Sequence, residues 1–220
     1  MSKKKKQPYK SRYQKTQSNK SRQIAIGVMV AGLVLAAAAV FLLMSNRSGA
    51  GNVADTGSIP DQLAMATLSG VKRDGSKPIQ GKPAPNFGFR YPDGKMFTLA
   101  DFKGQPVIVN FWATWCPPCR REMPGLVKAY ETHKDNGLMI IEVDVGESPE
   151  QVAPFVAQYN MTMPVALDQR QEVTRLYRTD SFPTSFFIDK DGVIQARWVG
   201  YLPEDQLALN LEKIMPATAQ

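Results

Sequence analysis

Cysteine and histidine are scarce in this chain, whose 220 residues include only Cys116, Cys119 and His133 of these two types. A zinc site needs about four ligands, and one chain offers too few. A zinc site remains an alternative only if two chains of a dimer each supply half of the ligands. A small secreted domain without a sufficient core uses several disulfides, and a single pair cannot supply that framework. The fold must therefore be stabilised by burial. A purely structural disulfide remains an alternative, although it would stabilise little because it closes so short a loop.

Acidic residues are absent from the first 22 positions, which carry nine lysines and arginines. All 20 Asp and Glu residues come later, so the net charge of +7 belongs to this tail and the rest of the chain is close to −2. A basic arm on RNA or DNA is an alternative, since attraction to phosphates requires no sequence. The segment that follows the tail favours a membrane, and we expect no nucleic-acid partner.

Charged residues are also absent from Ile24 to Met44, a run of 21 residues. As a helix this run would span roughly 30 Å, the thickness of the hydrocarbon core. A secretory signal has a shorter apolar run, about 7–15 residues, although cleavage in the small residues beyond Met44 stays an alternative. The positive-inside rule places the basic tail in the cytoplasm. We therefore predict a basic cytoplasmic tail over 1–22, a transmembrane signal-anchor helix over 23–44, an extracytoplasmic linker over 45–80 and a folded domain over 81–220.

The folded domain alternates predicted strands and helices. Pro92-Asp93-Gly94 supplies the turn of an initial hairpin, and Lys190-Asp191-Gly192 the turn of a final one. Between them the order is β, α, β, α, β, α, which favours a layered α/β fold with a mixed sheet. In the linker, the stretch from Pro60 to Leu68 is predicted as a short helix. The buried strand from Pro106 to Thr114 leads directly into both cysteines, in the stretch WATWCPPCRREMP.

A strand followed by a helix that opens with Cys-x-x-Cys is a thioredoxin-type arrangement. Unpaired N–H groups and the helix dipole favour an anion at a helix N-terminus, so Cys116 is predicted to be the thiolate nucleophile. Cys119 lies one turn deeper and would resolve the mixed disulfide. Pro117 and Pro118 fall in the first turn, where a missing N–H costs nothing. We expect a redox-active Cys116–Cys119 pair, without metal or other cofactor.

The motifs VNFWATWCPPCRREMP, VDVGES, SFPTSFFIDKDG and GKPAPNF occur in an order that resembles the membrane-anchored thioredoxin-like proteins of the ResA/TlpA group, a branch of the AhpC/TSA-redoxin superfamily. The resemblance covers about residues 81 to 215 and is closest to ResA. It implies a thioredoxin-like fold and a single-pass cell-membrane protein whose folded domain is extracytoplasmic. It also implies reduction of the disulfide of apocytochrome c before haem attachment, with electrons from a membrane carrier of the CcdA or DsbD kind.

The resemblance assigns roles to further residues around the pair. Glu122, one helical turn after Cys119, would exchange a proton with that thiol; thioredoxin carries its buried acid on the preceding strand, where this chain has Asn110. Pro183 matches the cis-proline of thioredoxin folds, and would hold the backbone of Phe182 open to pair with an extended substrate. The remaining substrate-binding candidates are Trp115, Pro117, Pro118 and Glu147, the last in the loop after a central strand.

Other functions remain as alternatives. A general extracytoplasmic reductase for secreted, envelope or spore proteins would share the mechanism and differ only in client. A copper-delivery protein of the SCO kind shares fold and anchor, but it needs Cys-x-x-x-Cys and a histidine in the cavity. His133 is instead predicted on the exposed surface of the first helix, and Trp112 is expected to be packing.

Overall fold

The computed structural model describes residues 61–72 and 75–215. These ranges contain one eight-stranded mixed sheet with helices on its faces. The predicted transmembrane stretch lies outside them. None of the helices within the described ranges has the length and apolar character needed to cross a membrane.

The elements follow the predicted order, with one additional strand at the start. The strands are β1 (Leu63–Thr67), β2 (Gly88–Arg90), β3 (Met96–Thr98), β4 (Val107–Trp112), β5 (Met139–Val145), β6 (Val165–Asp168), β7 (Thr184–Ile188) and β8 (Ile194–Val199). The helices are α1 (Pro117–His133), α2 (Pro149–Gln158), α3 (Glu172–Leu176) and α4 (Glu204–Ile214). In the sheet the strands lie in the order β3-β2-β1-β6-β5-β4-β7-β8.

The two strands at the centre, β4 and β5, are paired in parallel and covered on both faces. All six residues of β4 are buried, which explains its apolar sequence without alternation. One face carries Ile108, Trp112 and Ile140 and packs with α1, α2 and α4. The other carries Phe111 and Val143 and packs against a separate aromatic cluster. The hairpins close the sheet at both ends, with β7 antiparallel to both β4 and β8.

Local sequence sets the helix starts. Ser148 and Gln151 form a reciprocal capping box at the beginning of α2, with Pro149 as the first helical residue, as the sequence predicts. Helix α1 begins directly after Cys116, which is its N-cap residue. Pro124 lies inside α1, and the helix continues to His133.

The sequence prediction was wrong for the stretch from Pro60 to Leu68, where the structure has strand β1 rather than a short helix. This strand pairs in parallel with β6 and antiparallel with β2. Leu63 and Ala64 are buried in the core, whereas Met65 is exposed. The hairpin of β2 and β3 joins the rest of the sheet through β1. The folded domain therefore starts before residue 81, inside the segment predicted as a linker.

We expect Met65→Pro to destabilise the domain by on the order of 2–3 kcal/mol. The Met65 side chain is exposed, so the loss would come from the backbone, which is hydrogen-bonded in a strand paired on both edges. Urea unfolding measures this loss as a change in the free energy of unfolding. Met65→Thr is the matched control, because threonine suits a strand and keeps the N–H. Equal stability of the two variants would contradict an integral β1.

Candidate active site

The two cysteines lie at the junction between β4 and α1. Cys116 has an extended backbone, and its Sγ accepts a hydrogen bond from the Cys119 amide at 3.3 Å. Cys116 is 3% exposed and Cys119 is fully buried. Their sulfurs form a disulfide, with the Cα atoms 5.3 Å apart. The Cys119 amide at the helix N-terminus thus donates to the sulfur nearer the surface, as expected for a nucleophile.

The residues around Cys116 form a partly apolar surface. Pro117 is exposed and Pro118 half-buried in the first turn of α1. The Trp115 side chain is 64% exposed, and its ring meets that of Phe182 edge-on, with centroids 6.3 Å apart. This contact brings the segment before β7 alongside the cysteine motif.

The peptide bond between Phe182 and Pro183 is cis. The Pro183 carbonyl accepts a hydrogen bond from the Gly200 amide at 2.8 Å, which ties this segment to the end of β8. Phe182 packs against the core cluster that contains both cysteines. Among the described residues, no hydrogen bond engages the amide or carbonyl of Phe182, so both groups are available to an extended chain.

Glu122 is buried under the helix, on the same face of α1 as Cys119. Its Oε2 accepts a hydrogen bond from the Leu202 amide at 2.9 Å, and its Oε1 accepts one from Asn110 Nδ2 at 3.2 Å. Burial raises the pKa of Glu122 to about 8, although both hydrogen bonds oppose the increase. A carboxyl group with such a pKa can take or give a proton near neutral pH.

A second acid, Glu142, lies on β5 directly opposite Asn110 on β4. It is fully buried, and its Oε2 accepts a hydrogen bond from Asn110 Nδ2 at 2.9 Å. Asn110 Oδ1 in turn accepts one from the Ser185 hydroxyl at 3.0 Å. Burial, and then the charge of Glu122, raise the pKa of Glu142 to about 8. The site thus has two buried carboxyl groups that accept hydrogen bonds from the same Asn110 side-chain amide.

Glu147 is buried at the end of β5 and contacts the loop that precedes Cys116. Its carboxylate accepts hydrogen bonds from the Thr114 amide at 2.6 Å and the Thr114 hydroxyl at 2.5 Å. Its own amide donates to Asp144 Oδ1 at 3.3 Å. Burial, followed by the neighbouring Glu147 carboxyl, raises the pKa of Asp144 to about 9. Glu147 therefore fixes the loop at Thr114, two residues before the nucleophile.

Sequence reasoning missed Glu142, Thr114 and the amide of Leu202. The available signal for Glu142 was an acid between apolar residues in the stretch MIIEVDV, which was predicted to be a buried strand. Thr114 and Leu202 carried no signal, because their roles depend on contacts with residues 33 and 80 positions away.

Trp112, expected to be a packing residue, and His133, expected to be an exposed helix residue, make no side-chain hydrogen bond to the acids or cysteines described above. Trp112 is fully buried, and its ring packs on Phe155 with centroids 4.5 Å apart. His133 is the last residue of α1, and it is half-buried rather than exposed as predicted. In the part of the chain that the structure describes, no three His, Cys, Asp or Glu residues are grouped so that they could hold a metal ion.

Known proteins of similar sequence are named thiol-disulfide oxidoreductases. The chain is 42% identical over 154 residues to the thiol-disulfide oxidoreductase ResA of Bacillus thuringiensis (strain Al Hakam), a match that covers 70% of this chain and 89% of the relative. ResA of Bacillus subtilis (strain 168) is 36% identical over 137 residues, covering 62% and 76%. The chain is thus a thiol-disulfide oxidoreductase with a Cys116–Cys119 redox pair.

Solved structures agree on the fold. A putative thiol:disulfide interchange protein DsbE from Chlorobium tepidum matches with a TM-score of 0.58 at 30% identity, over 63% of this chain and 99% of that one. StoA from Bacillus subtilis matches with a TM-score of 0.50 at 29% identity, over 59% and 98%. The predicted thioredoxin-like fold is confirmed. The AhpC/TSA family model matches residues 80–197, and the chain belongs to the AhpC/TSA family.

Proposed function

We propose that this protein is a membrane-anchored reductase whose thioredoxin-like domain lies outside the cytoplasm and reduces the disulfide of apocytochrome c before haem attachment. The observation that carries the reductase chemistry is the buried Glu122, one turn after Cys119 and on the same face of α1. The uncharged run from Ile24 to Met44 supports the anchor. The similarity to ResA supports the client.

The exchange proceeds in two displacements. The Cys116 thiolate attacks one sulfur of the substrate disulfide, and the other substrate sulfur leaves as a thiolate. The Cys119 thiol then gives its proton to the Glu122 carboxylate, and the resulting thiolate attacks Cys116 Sγ. The second substrate sulfur leaves, the substrate has gained two electrons, and the enzyme disulfide is formed. A membrane thiol donor of the CcdA or DsbD kind would reduce that disulfide again, so the cycle uses no other cofactor.

The surface around Cys116 suits a protein substrate. Trp115 and Phe182 provide apolar contacts beside the sulfur, and the backbone of Phe182 provides a hydrogen-bonding edge. Strand β1 runs parallel to β6, which runs parallel to β5 and β4. Its first residue, Leu63, therefore lies at the end of the sheet opposite Cys116.

Glu122→Gln is expected to slow the second displacement by roughly 10²-fold near neutral pH, because the proton acceptor is lost. Reduced protein mixed with a chromogenic aromatic disulfide releases one thiol on attack by Cys116 and a second on resolution by Cys119, and stopped-flow absorbance separates them. In the unsubstituted protein the second rate should rise with pH as Glu122 ionises, around its pKa of about 8.

The control is Glu131→Gln, which removes an exposed acid from the same helix. It should leave both rates unchanged. A second-phase rate that is identical in Glu122→Gln and the unsubstituted protein would rule out Glu122 as the proton acceptor.

Cys119→Ala is expected to hold the client as a mixed disulfide on Cys116, because the resolving thiol is absent. Recovery of apocytochrome c from cells, identified by mass spectrometry after non-reducing electrophoresis, would support the proposed client. Cys116→Ala is the matched control and should trap nothing, since Cys119 is buried. Capture of other secreted or envelope proteins alone would favour a general extracytoplasmic reductase.

A reductase also requires a low potential. We expect the pair to equilibrate with glutathione buffers at roughly −270 mV or below, the range of thioredoxin. A value near −120 mV, as in strong oxidants, would contradict the proposed direction of electron flow.

A further inference from the structure

Glu142 is a fully buried acid that the exchange reaction, as written above, does not use. It lies in the middle of β5, on the sheet face covered by α1, α2 and α4. Its Oε1 atom has no hydrogen-bond partner among the described residues. A buried carboxyl group with one unsatisfied oxygen is costly, so its presence at the redox site calls for a physical reason.

The Asn110 side chain connects the two buried acids. Its single NH₂ group donates to Glu142 Oε2 at 2.9 Å and to Glu122 Oε1 at 3.2 Å. The hydroxyl of Ser185 donates to the amide oxygen on its other side. Both hydrogens of one neutral amide are thus committed to carboxyl groups, and the amide cannot neutralise either charge.

No cation faces this pair from any described element packed around it. Helix α1 contributes Glu122 and, when reduced, the Cys119 thiol, while β5 contributes Asp144 two residues farther along. The charged side chains of α2 and α4 are exposed. The residues of the other strands nearest Glu142 on this face are neutral and include Asn110, Ser185, Val165 and Leu167. The ion pairs of the described residues all lie on the surface and include neither acid.

Two carboxyl groups on one donor, without a cation, resist double ionisation because their charges repel. The Leu202 amide gives Glu122 a second hydrogen bond that stabilises its anion, and Glu142 has no such bond. Glu122 is therefore the first to ionise, and Glu142 retains its proton. Burial raises the pKa of both groups, and the charge of Glu122 is a further cause that raises the pKa of Glu142.

We propose that Glu142 is a positioning residue for proton transfer at Cys119, because it titrates with Glu122 as one coupled pair through the shared Asn110 amide. This inference rests on the proposed role of Glu122. When Glu122 takes the Cys119 proton, the pair holds two protons and the negative charge moves to sulfur. When the new disulfide forms, the pair releases one proton and again carries one charge. At a pH high enough for Glu142 to ionise as well, its charge raises the proton affinity with which Glu122 acts.

The coupling can be measured on the oxidised protein without any substrate. Carbon-13 NMR of glutamate labelled at Cδ follows both acids from pH 5 to 10, with Glu122→Gln and Glu142→Gln for assignment. In either variant, ionisation of the remaining acid should be complete at least ~1 pH unit below the upper step of the unsubstituted protein. If the unsubstituted titration is the sum of the two single-variant titrations, the acids are independent and the proposal fails.

Glu131→Gln is the control, because it removes an exposed acid of α1 whose side-chain hydrogen bonds go to Lys134 and Thr162 and not to Asn110. It should leave the titrations of Glu122 and Glu142 unchanged. Glu142→Met, which removes every polar atom at similar volume, should give the same Glu122 titration as Glu142→Gln. It replaces that variant if Glu142→Gln does not fold.

The pH profile of the second displacement then separates the two proposals. With Glu142→Gln, its rise with pH should reduce to a single ionisation that is complete at a lower pH than in the unsubstituted protein. An altered profile in Glu122→Gln with none in Glu142→Gln would overturn the role of Glu142 alone. An unaltered profile in Glu122→Gln would overturn the proposed role of Glu122, whatever the titrations show.

Discussion

The chemistry of this domain depends on the junction at which β4 ends and α1 begins. Cys116 is the N-cap residue of α1, so its sulfur lies at the positive end of the helix dipole and accepts a hydrogen bond from the Cys119 amide. This position requires a rigid support, because a thiolate is stabilised only while it stays at the helix end. The support comes from β4, which is entirely buried and hydrogen-bonded to β5 and β7. From below, the Glu147 carboxylate holds Thr114 in the loop that joins strand to helix.

The buried acids beneath the helix reduce stability in a defined pH range. An unfolded glutamate has a pKa near 4.5, whereas Glu122 and Glu142 have values of about 8 in the folded protein. The folded state therefore binds more protons than the unfolded state between these values. Stability is fully present below pH 4.5 and falls as the pH rises towards 8. This loss of stability is explained by function, because a proton acceptor for a thiol must have a pKa near the pH at which the thiol is deprotonated.

The sequence predicted much of the fold because its signals were local. The capping box at Ser148, the turn at Asp93 and the apolar run of β4 each specify structure within a few residues. The prediction for the β1 segment was wrong for the opposite reason. Its five residues show no clear period, and their strand conformation comes from pairing with β6, about 100 residues later in the chain. Tertiary contacts of this kind override local propensity.

The same division applies to the site. The helix dipole and the spacing of Cys116 and Cys119 were readable from the sequence, and so was the place of Glu122 one turn along. The surroundings of Glu122 could not be predicted from the sequence. They come from Asn110 and Glu142 on two neighbouring strands and from Leu202 in the segment before α4.

Asn110 explains why the acids lie where they do. An acid on β4 itself would occupy the position at which this chain carries a neutral amide, and it would be fixed to the sheet. Placed on α1 instead, Glu122 shares the helix with Cys119, and the amide that replaces the acid holds its carboxyl group in place. The same amide has a second hydrogen to satisfy, and Glu142 on the adjacent strand accepts it. With an amide on β4 and the acid on α1, one side chain thus has a hydrogen for each of the two carboxyl groups.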